Sequence, residues 1–224
     1  TIRDSINCRN IRDLKLSRQR LTRFIDAKKA SEGDKIQMKT FMKAQLQKKY
    51  GKVNERSAIK HYEYVMRKKV FHENKTIFRT FHTKGGDVDF IIKGRIDGLT
   101  EDGRIIEIKS RTRSFHDTLP DHEKAQLQTY LFLCNKNYGE IVQYLNNGKR
   151  QGRTERQTIK ITPVQRDEKY FKEFILPHLT VFVTALDVFL GSANLKKQYS
   201  QKPTKREEIV NSLLIHAQAL NCKM

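Results

Sequence analysis

Hydrophobic positions recur with a helical period at both ends of the chain and alternate like strands in its middle. The helical period predicts helices, with a break at Gly51, at residues 14–29, 35–49, 54–69, 122–134, 167–190 and 204–224. Runs rich in β-branched residues predict strands at 77–81, 88–96, 104–109, 140–145 and 158–163. This order of elements predicts an α/β fold, in which a mixed β-sheet is flanked by helices.

The length of the chain limits how many domains it forms. With 224 residues and 37% hydrophobic content it can bury one substantial core, so we predict a single domain over residues 1–224. Within this domain we expect a helical, basic N-terminal segment at 1–50, a core at 51–190, a basic linker at 196–206 and a C-terminal helix at 204–224.

The most apolar stretch, residues 174–190, contains Pro177, His178 and Asp187. Such residues are unfavourable in a membrane span, so we predict a buried helix there and no membrane partner. The chain opens on a polar and basic stretch rather than on a signal peptide. We therefore expect an intracellular protein, in the nucleus or the cytoplasm.

Cysteine spacing is typical of a reducing compartment. Cys8, Cys134 and Cys222 lie far apart without a Cys-x-x-Cys pair, which excludes an obvious zinc ribbon and an iron–sulfur cluster. The histidines show no metal-ligand spacing either, although His116 and His122 lie close in sequence to the residues discussed next. The seven histidines are His61, His72, His82, His116, His122, His178 and His216.

A predicted hairpin brings two acidic residues face to face. Its link, residues 100–103, contains the Asp-Gly pair of a tight turn. With the turn centred near Asp102, Asp97 lies directly opposite Glu107, and their Cβ atoms are roughly 4.5–5.5 Å apart. Strand alternation then places Lys109 on the same face as Glu107 and turns Ile108 toward a core.

Two carboxylates held so close repel each other unless a cation lies between them. Mg²⁺ fits, because it binds one or two carboxylates and keeps several waters. The carbonyl oxygen of Ile108 is a candidate for a further ligand, and Lys109 could orient an attacking water or offset charge on a phosphate. The alternative is a hairpin whose charges form a purely structural salt bridge.

Helices before and after the hairpin could complete this site. Glu55, predicted near the start of the helix at 54–69, could supply a third acid, or it could only complement the helix dipole. Gln126 and Tyr130 lie four residues apart and so share one face of a helix. Such pairs also occur for structural reasons.

The net charge of +20 indicates a polyanionic partner, since self-repulsion opposes folding. Residues 1–69 hold 20 Lys or Arg against 7 Asp or Glu, so the surplus is concentrated there. This favours a surface that follows nucleic-acid phosphates, although a generally solvated basic surface would show the same count. Arg111 and Arg113 follow the second acidic strand, and we expect them at phosphates unless their loop is a disordered connector.

Several of these motifs together resemble a known family. Glu55 in Gly-x-x-x-Glu-x-x-Ala, Asp97-Gly, Glu107-Ile-Lys109 and Gln126-Leu-Gln-Thr-Tyr130 resemble the PD-(D/E)xK nuclease superfamily. Two further matches, Ala-Gln-Leu-Gln at 125–128 and Arg-Asp-Glu-Lys-Tyr at 166–170, are similar to its lambda exonuclease and YqaJ-type viral recombinase group, which includes viral alkaline nucleases. The resemblance covers about residues 50–190 in the correct order, which makes 51–190 a nuclease core.

The resemblance implies a restriction-endonuclease-like fold and assigns a role to each residue. It implies a metal site at Asp97, Glu107 and the Ile108 carbonyl, with Glu55 as a further acid and Lys109 beside the attacking water. It places Gln128 near that site and makes Gln126 and Tyr130 the helix motif common to RecB-like nucleases. The implied cofactor is Mg²⁺, for which Mn²⁺ is expected to substitute.

The chain departs from the family pattern at several positions. Ile96 replaces the proline of the motif that names the family, and Arg95 stands where relatives can use a small hydroxyl residue to contact phosphate. Relatives grip a terminal 5′-phosphate with an N-terminal Arg and Ser; here the candidates, Arg9, Arg12 and Ser17, are poorly aligned with that pattern.

The resemblance implies a Mg²⁺-dependent exodeoxyribonuclease that digests linear double-stranded DNA from 5′ to 3′ in recombination, repair or viral genome processing. It also implies a single-strand annealing protein as a partner and a homo-oligomer, a trimer in the phage member. Two alternatives remain: the same chemistry in a structure-specific endonuclease on DNA or RNA, and a non-catalytic DNA-binding module. Retention of both acids and the lysine disfavours the second alternative.

Overall fold

The structure is a computed structural model that describes residues 8–71, 73–83, 88–146, 149–150, 153–154 and 158–222. His72 and the side chain of Cys222 lie outside the described residues. The helices are α1 Ile11–Asp26, α2 Glu32–Met66, α3 Asp121–Leu133, α4 Glu168–Tyr170, α5 Leu176–Gly191, α6 Ala193–Gln201 and α7 Arg206–Cys222. A π-helical segment, Phe171–Ile175, joins α4 to α5, and a 3₁₀ turn, Pro203–Lys205, precedes α7.

The strands are β1 Val70–Phe71, β2 Thr76–His82, β3 Asp89–Arg95, β4 Gly98–Thr100, β5 Ile105–Arg111, β6 Tyr138–Leu145, β7 Lys149–Arg150, β8 Arg153–Thr154 and β9 Thr158–Gln165. The chain forms two compact units, each assembled from three segments. Unit 1 comprises Thr1–Lys75, Ile96–Pro120 and Asn137–Gln165, and unit 2 comprises Thr76–Arg95, Asp121–Lys136 and Arg166–Met224. A single nuclease domain over 1–224 stays a prediction.

Unit 1 is built on a five-stranded sheet in the order β1-β4-β5-β6-β9. The pair β5–β6 is parallel and the other three pairs are antiparallel, so the predicted mixed sheet is confirmed. α2 packs against this sheet, and the buried side chains between them are Ala58, Ile59, Tyr62, Val70, Ile106, Ile108, Val142 and Tyr144. α1 packs on the first half of α2 through a second core that includes Leu14, Leu21, Leu46 and Tyr50.

Unit 2 combines the β2–β3 hairpin with α3 and with the helices α4 to α7. Its core centres on Phe132 of α3 and Phe171 of the π-helical segment, whose rings stack with centroids 3.9 Å apart. Phe81 of β2 and Ile92 of β3 pack against this pair, so the hairpin and the helices share one core.

The predicted break at Gly51 is wrong. α2 runs without interruption over 35 residues, and Gly51 lies in its middle with open space where a Cβ would stand. A single glycine costs a helix only about 1 kcal/mol. Burial of Leu46, Tyr50, Ala58 and Tyr62 on one face of α2 offsets this cost many times over.

The predicted strand at 88–96 is present, but its partner differs from the prediction. β3 pairs along its whole length with β2 in a separate two-stranded sheet. The hairpin partner of β5 is instead the short strand β4, which begins after Asp97. A change of partner within a continuous apolar run has no signature in hydrophobic alternation, because both halves show the same period.

The helix predicted to be buried at 174–190 is only partly buried. By length and composition Glu168–Gly191 could span a membrane, yet only 17% of its most apolar window is buried, and such a helix alone is weak evidence for a span. Phe174, Phe182 and Leu190 are all more than half exposed. The predicted linker at 196–206 is also wrong in part, because α6 occupies much of it.

Candidate active site

The β4–β5 hairpin has the predicted register. Gly98 pairs with Ile106 and Leu99 with Ile105, so one further step places Asp97 opposite Glu107. The turn closes through the N–H of Thr100, which donates to the carbonyl of Arg104 over 2.9 Å. Gly103 has φ of 81°, a left-handed conformation that glycine adopts without a Cβ penalty.

Asp97 lies where the chain leaves one sheet and enters another. In an uninterrupted antiparallel ladder the N–H of Ile108 would donate to the carbonyl of Ile96. Here it donates instead to Asp97 Oδ2 over 2.7 Å. Gly98, the next residue, allows the close approach of β1 to β4, because a Cβ at this position would overlap Val70 of β1. The aspartate is therefore fixed by the main chain of the strand that it faces.

Glu107 and Lys109 lie on one face of β5, as strand alternation predicts. Glu107 is 4% exposed, and its Oε1 accepts a hydrogen bond from Lys109 Nζ over 2.8 Å. Ile106 and Ile108 pack on the opposite face, in the core beneath α2. The sheet thus holds an acid and a lysine on the face turned away from this core.

Burial and neighbouring negative charges make the ionisation of Asp97 unfavourable. Burial raises the pKa of Asp97 to about 7, and the negative charges of Glu107 and Glu55 act in the same direction. The N–H of Ile108 and the charge of Lys109 oppose this shift without cancelling it. A carboxylate in such a place gains from a nearby cation, and carboxylate oxygens such as those of Asp97 and Glu107 are ligands that a hard divalent ion prefers.

Within the described part of the chain, no group of three or more histidine, cysteine, aspartate or glutamate side chains is placed to hold a metal ion. The structure therefore does not group Glu55 with the facing pair Asp97 and Glu107, and Glu55 as a third acid ligand stays a prediction. A pair of carboxylates is enough for Mg²⁺, which completes its shell with waters and backbone or phosphate oxygens. The carbonyl of Ile108 as a ligand stays a prediction.

Comparison with known proteins identifies the family. The model of the PD-(D/E)XK nuclease superfamily matches residues 9–213 of the chain. The chain belongs to the PD-(D/E)XK nuclease superfamily. It is therefore a nuclease, and members of this superfamily generally depend on divalent metal ions. No curated protein sequence matches the chain at a significant level.

Two solved structures resemble this nuclease. An alkaline exonuclease from Laribacter hongkongensis, LHK-Exo, aligns over 80% of this chain and 92% of its own with 18% identity and a TM-score of 0.51. The protein SSO0001 aligns over 81% of this chain and 74% of its own with 18% identity and a TM-score of 0.46. At 0.51 and 18% identity, the likeness to the exonuclease shows a common fold.

Glu55 of the nuclease lies in the interior of α2 rather than near a helix N-terminus. A role in complementing the helix dipole is therefore wrong. Its Oε1 accepts a hydrogen bond from Asn74 Nδ2 over 2.9 Å. Sequence reasoning missed Asn74, although its left-handed φ of 60° is one that asparagine adopts more readily than most residues.

The glutamines and the tyrosine of α3 belong to unit 2. Gln126 Nε2 donates to Tyr130 Oη over 3.0 Å, so this predicted pair does share a face. Gln128 is 2% exposed, and its Oε1 accepts from the N–H of Asp167 at the start of α4. Gly94, which sequence reasoning missed, lets the ring of Tyr130 approach β3, since a Cβ there would overlap it.

The predicted DNA contacts differ in their accessibility. Arg12 and Arg113 are exposed, Arg95 is exposed at the end of β3, and Arg111 is half-buried at the end of β5. Ser17 is 4% exposed, on the face of α1 that packs against α2. This burial contradicts a direct contact between Ser17 and DNA, and we leave it out of the proposed surface.

Proposed function

We propose that the protein is a Mg²⁺-dependent deoxyribonuclease that hydrolyses phosphodiester bonds in linear double-stranded DNA, as a 5′ to 3′ exonuclease. The observation that carries the proposal is the cluster on the β4–β5 hairpin. Asp97 and Glu107 face each other across the ladder, Lys109 lies beside Glu107, and the pKa of Asp97 is raised to about 7. This arrangement supports a hydrolytic metal site at the hairpin.

Asp97 and Glu107 would hold the cation, with the Ile108 carbonyl and Glu55 as further candidates. When bound, a divalent cation offsets the negative charge that builds on a phosphate during hydrolysis. Asp97 is held in place by the Ile108 N–H, so its carboxylate needs little reorganisation before catalysis. Lys109 keeps a positive charge on the same face and can orient a water through its Nζ protons.

The charge of the chain supports DNA as the substrate. A net charge of +20, with much of the surplus in residues 1–69, favours a surface that follows a phosphate backbone. The exonuclease activity named for the Laribacter hongkongensis structure motivates an exonuclease rather than an endonuclease here. Gln126 and Tyr130 would contribute the helix motif of the family, and Arg12, Arg95, Arg111 and Arg113 would contact phosphates.

Biological role and assembly follow from the family resemblance as further proposals. A duplex-resecting exonuclease leaves a single strand, and a single-strand annealing protein would use it in recombination, repair or viral genome processing. We propose an intracellular location and a homo-oligomer, a trimer if it follows the phage member of the group. Mn²⁺ is proposed to replace Mg²⁺, since both prefer oxygen ligands.

Linear and covalently closed duplexes of the same sequence test the proposal. We expect Mg²⁺-dependent release of mononucleotides from the linear DNA and no nicking of the closed circle. A label at either 5′ end should be released before a label at a 3′ end. Nicking of the closed circle would contradict the exonuclease and support an endonuclease; binding without cleavage in Mg²⁺ and in Mn²⁺ would leave a DNA-binding module.

A further inference from the structure

A buried glutamine fixes the loop that follows the strand of the candidate active site. Gln143 lies in the middle of β6, in register with Lys109 of β5, and has no exposed surface. Its Oε1 accepts hydrogen bonds from Arg111 Nε over 2.7 Å and from the His116 N–H over 2.8 Å. Its Nε2 donates to the carbonyl of His116 over 2.9 Å. One amide thus holds both ends of the segment from Arg111 to His116.

The loop held in this way lines an open cavity of about 320 Å³. The walls are Gln47 of α2, the loop residues 110–114 and His116. Two arginines and three hydroxyl-bearing residues therefore line one space, and among the described residues no aspartate or glutamate belongs to its lining. Such a wall suits a phosphate group, which arginine binds by charge-assisted hydrogen bonds.

The orientation of Arg111 depends on Gln143. A guanidinium has five N–H donors in a planar fork, so fixing the Nε–H in one direction fixes the plane of the whole group. The carbonyl of Arg111 is also held, because it accepts a hydrogen bond from Tyr50 Oη over 3.2 Å. Main chain and side chain of this arginine are therefore both anchored to buried residues.

We propose that Gln143 is a positioning residue that shapes a phosphate-binding pocket from Arg111 and the loop up to His116. The inference rests on the proposed function, since the phosphate is one of the DNA substrate. Gln143 itself does not contact the phosphate. It fixes the orientation of Arg111, which contacts the phosphate and lies two positions after Lys109 in the chain.

The test compares Gln143→Met with Arg111→Ala and with the double variant. Methionine has nearly the shape of glutamine and removes all three hydrogen bonds. Binding to a linear duplex is measured over a salt titration, with Ca²⁺ in place of Mg²⁺ to block cleavage. Each single variant should weaken binding roughly tenfold and reduce the slope of log K against log salt by about 0.9, the loss of one phosphate contact.

The double variant distinguishes positioning from general destabilisation. If Gln143 acts through Arg111, the double variant should bind as Arg111→Ala does, within about twofold. With Mg²⁺, Gln143→Met should raise KM about tenfold and change kcat by less than about threefold, because the lost contact is uniform binding of substrate. Two results would overturn the proposal. One is a loss of affinity in the double variant equal to the product of the two single losses, and the other is an unchanged salt slope in Gln143→Met.

Two further variants control for folding. Tyr144→Phe changes the next residue of β6, whose hydroxyl has no hydrogen-bond partner among the described residues, and it should keep the salt slope of the wild type. Arg111→Lys keeps a charge at the surface but removes the Nε–H that Gln143 accepts. It should weaken binding at least about fivefold whether or not Gln143→Met folds, and wild-type affinity in this variant would overturn the proposal.

Duplexes with 5′-phosphate and with 5′-hydroxyl ends identify the source of the phosphate. If Gln143→Met and Arg111→Ala lose affinity only for the phosphorylated duplex, the pocket binds a terminal phosphate. If they lose affinity equally for both duplexes, the pocket binds an internal phosphate. Failure of the wild type to cleave, or a salt-independent affinity, would count against the proposed function. If the wild type cleaves but the losses of affinity in Gln143→Met and Arg111→Ala multiply in the double variant, only the role of Gln143 is contradicted.

Discussion

The surroundings that hold the hairpin's carboxyl groups in place also make their negative charges unfavourable. Asp97 accepts a hydrogen bond from the N–H of Ile108, which fixes its position. It is also buried and faces Glu107, which raises its pKa. Glu107 is almost fully buried and depends on Lys109 for a compensating charge. Unfavourable charge arrangements of this kind are common at active sites, where a bound cation can offset the repulsion between the carboxylates.

We predict that Asp97→Asn stabilises the metal-free protein near pH 8. The folded-state pKa of Asp97 lies above its unfolded value, so its contribution to stability is present at low pH and is lost as pH rises toward about 7. Asparagine avoids this loss and can still accept the Ile108 N–H. Urea unfolding in EDTA should show the variant about 1 kcal/mol more stable than wild type near pH 8, with a smaller difference near pH 4. Equal or lower stability at the higher pH would contradict this.

We propose that Lys109 acts on charge that develops during hydrolysis, so Lys109→Ala should lower turnover roughly 10²-fold or more. Metal affinity should change little, since Lys109 is not a ligand. Single-turnover cleavage at saturating Mg²⁺ measures the first effect, and a Mg²⁺ titration measures the second. Lys160→Ala, which removes an ion pair between the edge strand β9 and Asp117, is the matched control. A variant that binds Mg²⁺ poorly yet cleaves normally when saturated would show a ligand-supporting role instead.

Secondary-structure elements were predictable where a local pattern decided them and not where packing did. The register of β4 and β5 follows from the Asp-Gly turn, and the burial of Ile108 follows from strand alternation. The continuity of α2 through Gly51 depends on side chains that contact the sheet, which the helix pattern does not show. Asn74, Gly94 and Gln143 act through residues distant in sequence, so no short motif marks them.

Two glycine-to-alanine changes test the packing of these elements. Gly94→Ala should destabilise the fold by about 1–3 kcal/mol, because the added methyl group overlaps the ring of Tyr130. Gly51→Ala should stabilise it by about 0.5–1 kcal/mol, because its site in α2 is open and alanine favours the helix. Urea unfolding measures both. Equal effects of the same sign would contradict the packing at Gly94.

The whole molecule divides in a way that the order of elements does not predict. Each unit contains segments from early, middle and late parts of the chain, so the boundaries cross the predicted core at 51–190. Hydrophobic periodicity identifies elements but not which of them share a core. Composition was more informative at this scale: the surplus of basic residues in 1–69 is a property of the sequence that any fold must place in solvent or against a polyanion.

At this scale we predict a steep salt dependence of DNA binding. Affinity for a duplex, with cleavage blocked by Ca²⁺, should fall linearly with log salt at about 0.9 per phosphate neutralised, whatever the base sequence. Fluorescence anisotropy with two unrelated duplexes of equal length measures both points. An affinity that does not change with salt would contradict a phosphate-following surface, and a strong preference for one duplex would indicate base recognition.

Hydrolysis of linear duplex DNA by Glu107→Gln, compared with wild type in a Mg²⁺ titration, tests the candidate active site most directly. Glutamine keeps the size of the side chain and removes one of the two facing negative charges. We predict loss of Mg²⁺-dependent cleavage with DNA binding near normal or tighter, since hydrolysis needs the metal far more than binding does. Wild-type turnover in this variant at any Mg²⁺ concentration would contradict the assignment of Asp97 and Glu107 as the metal site.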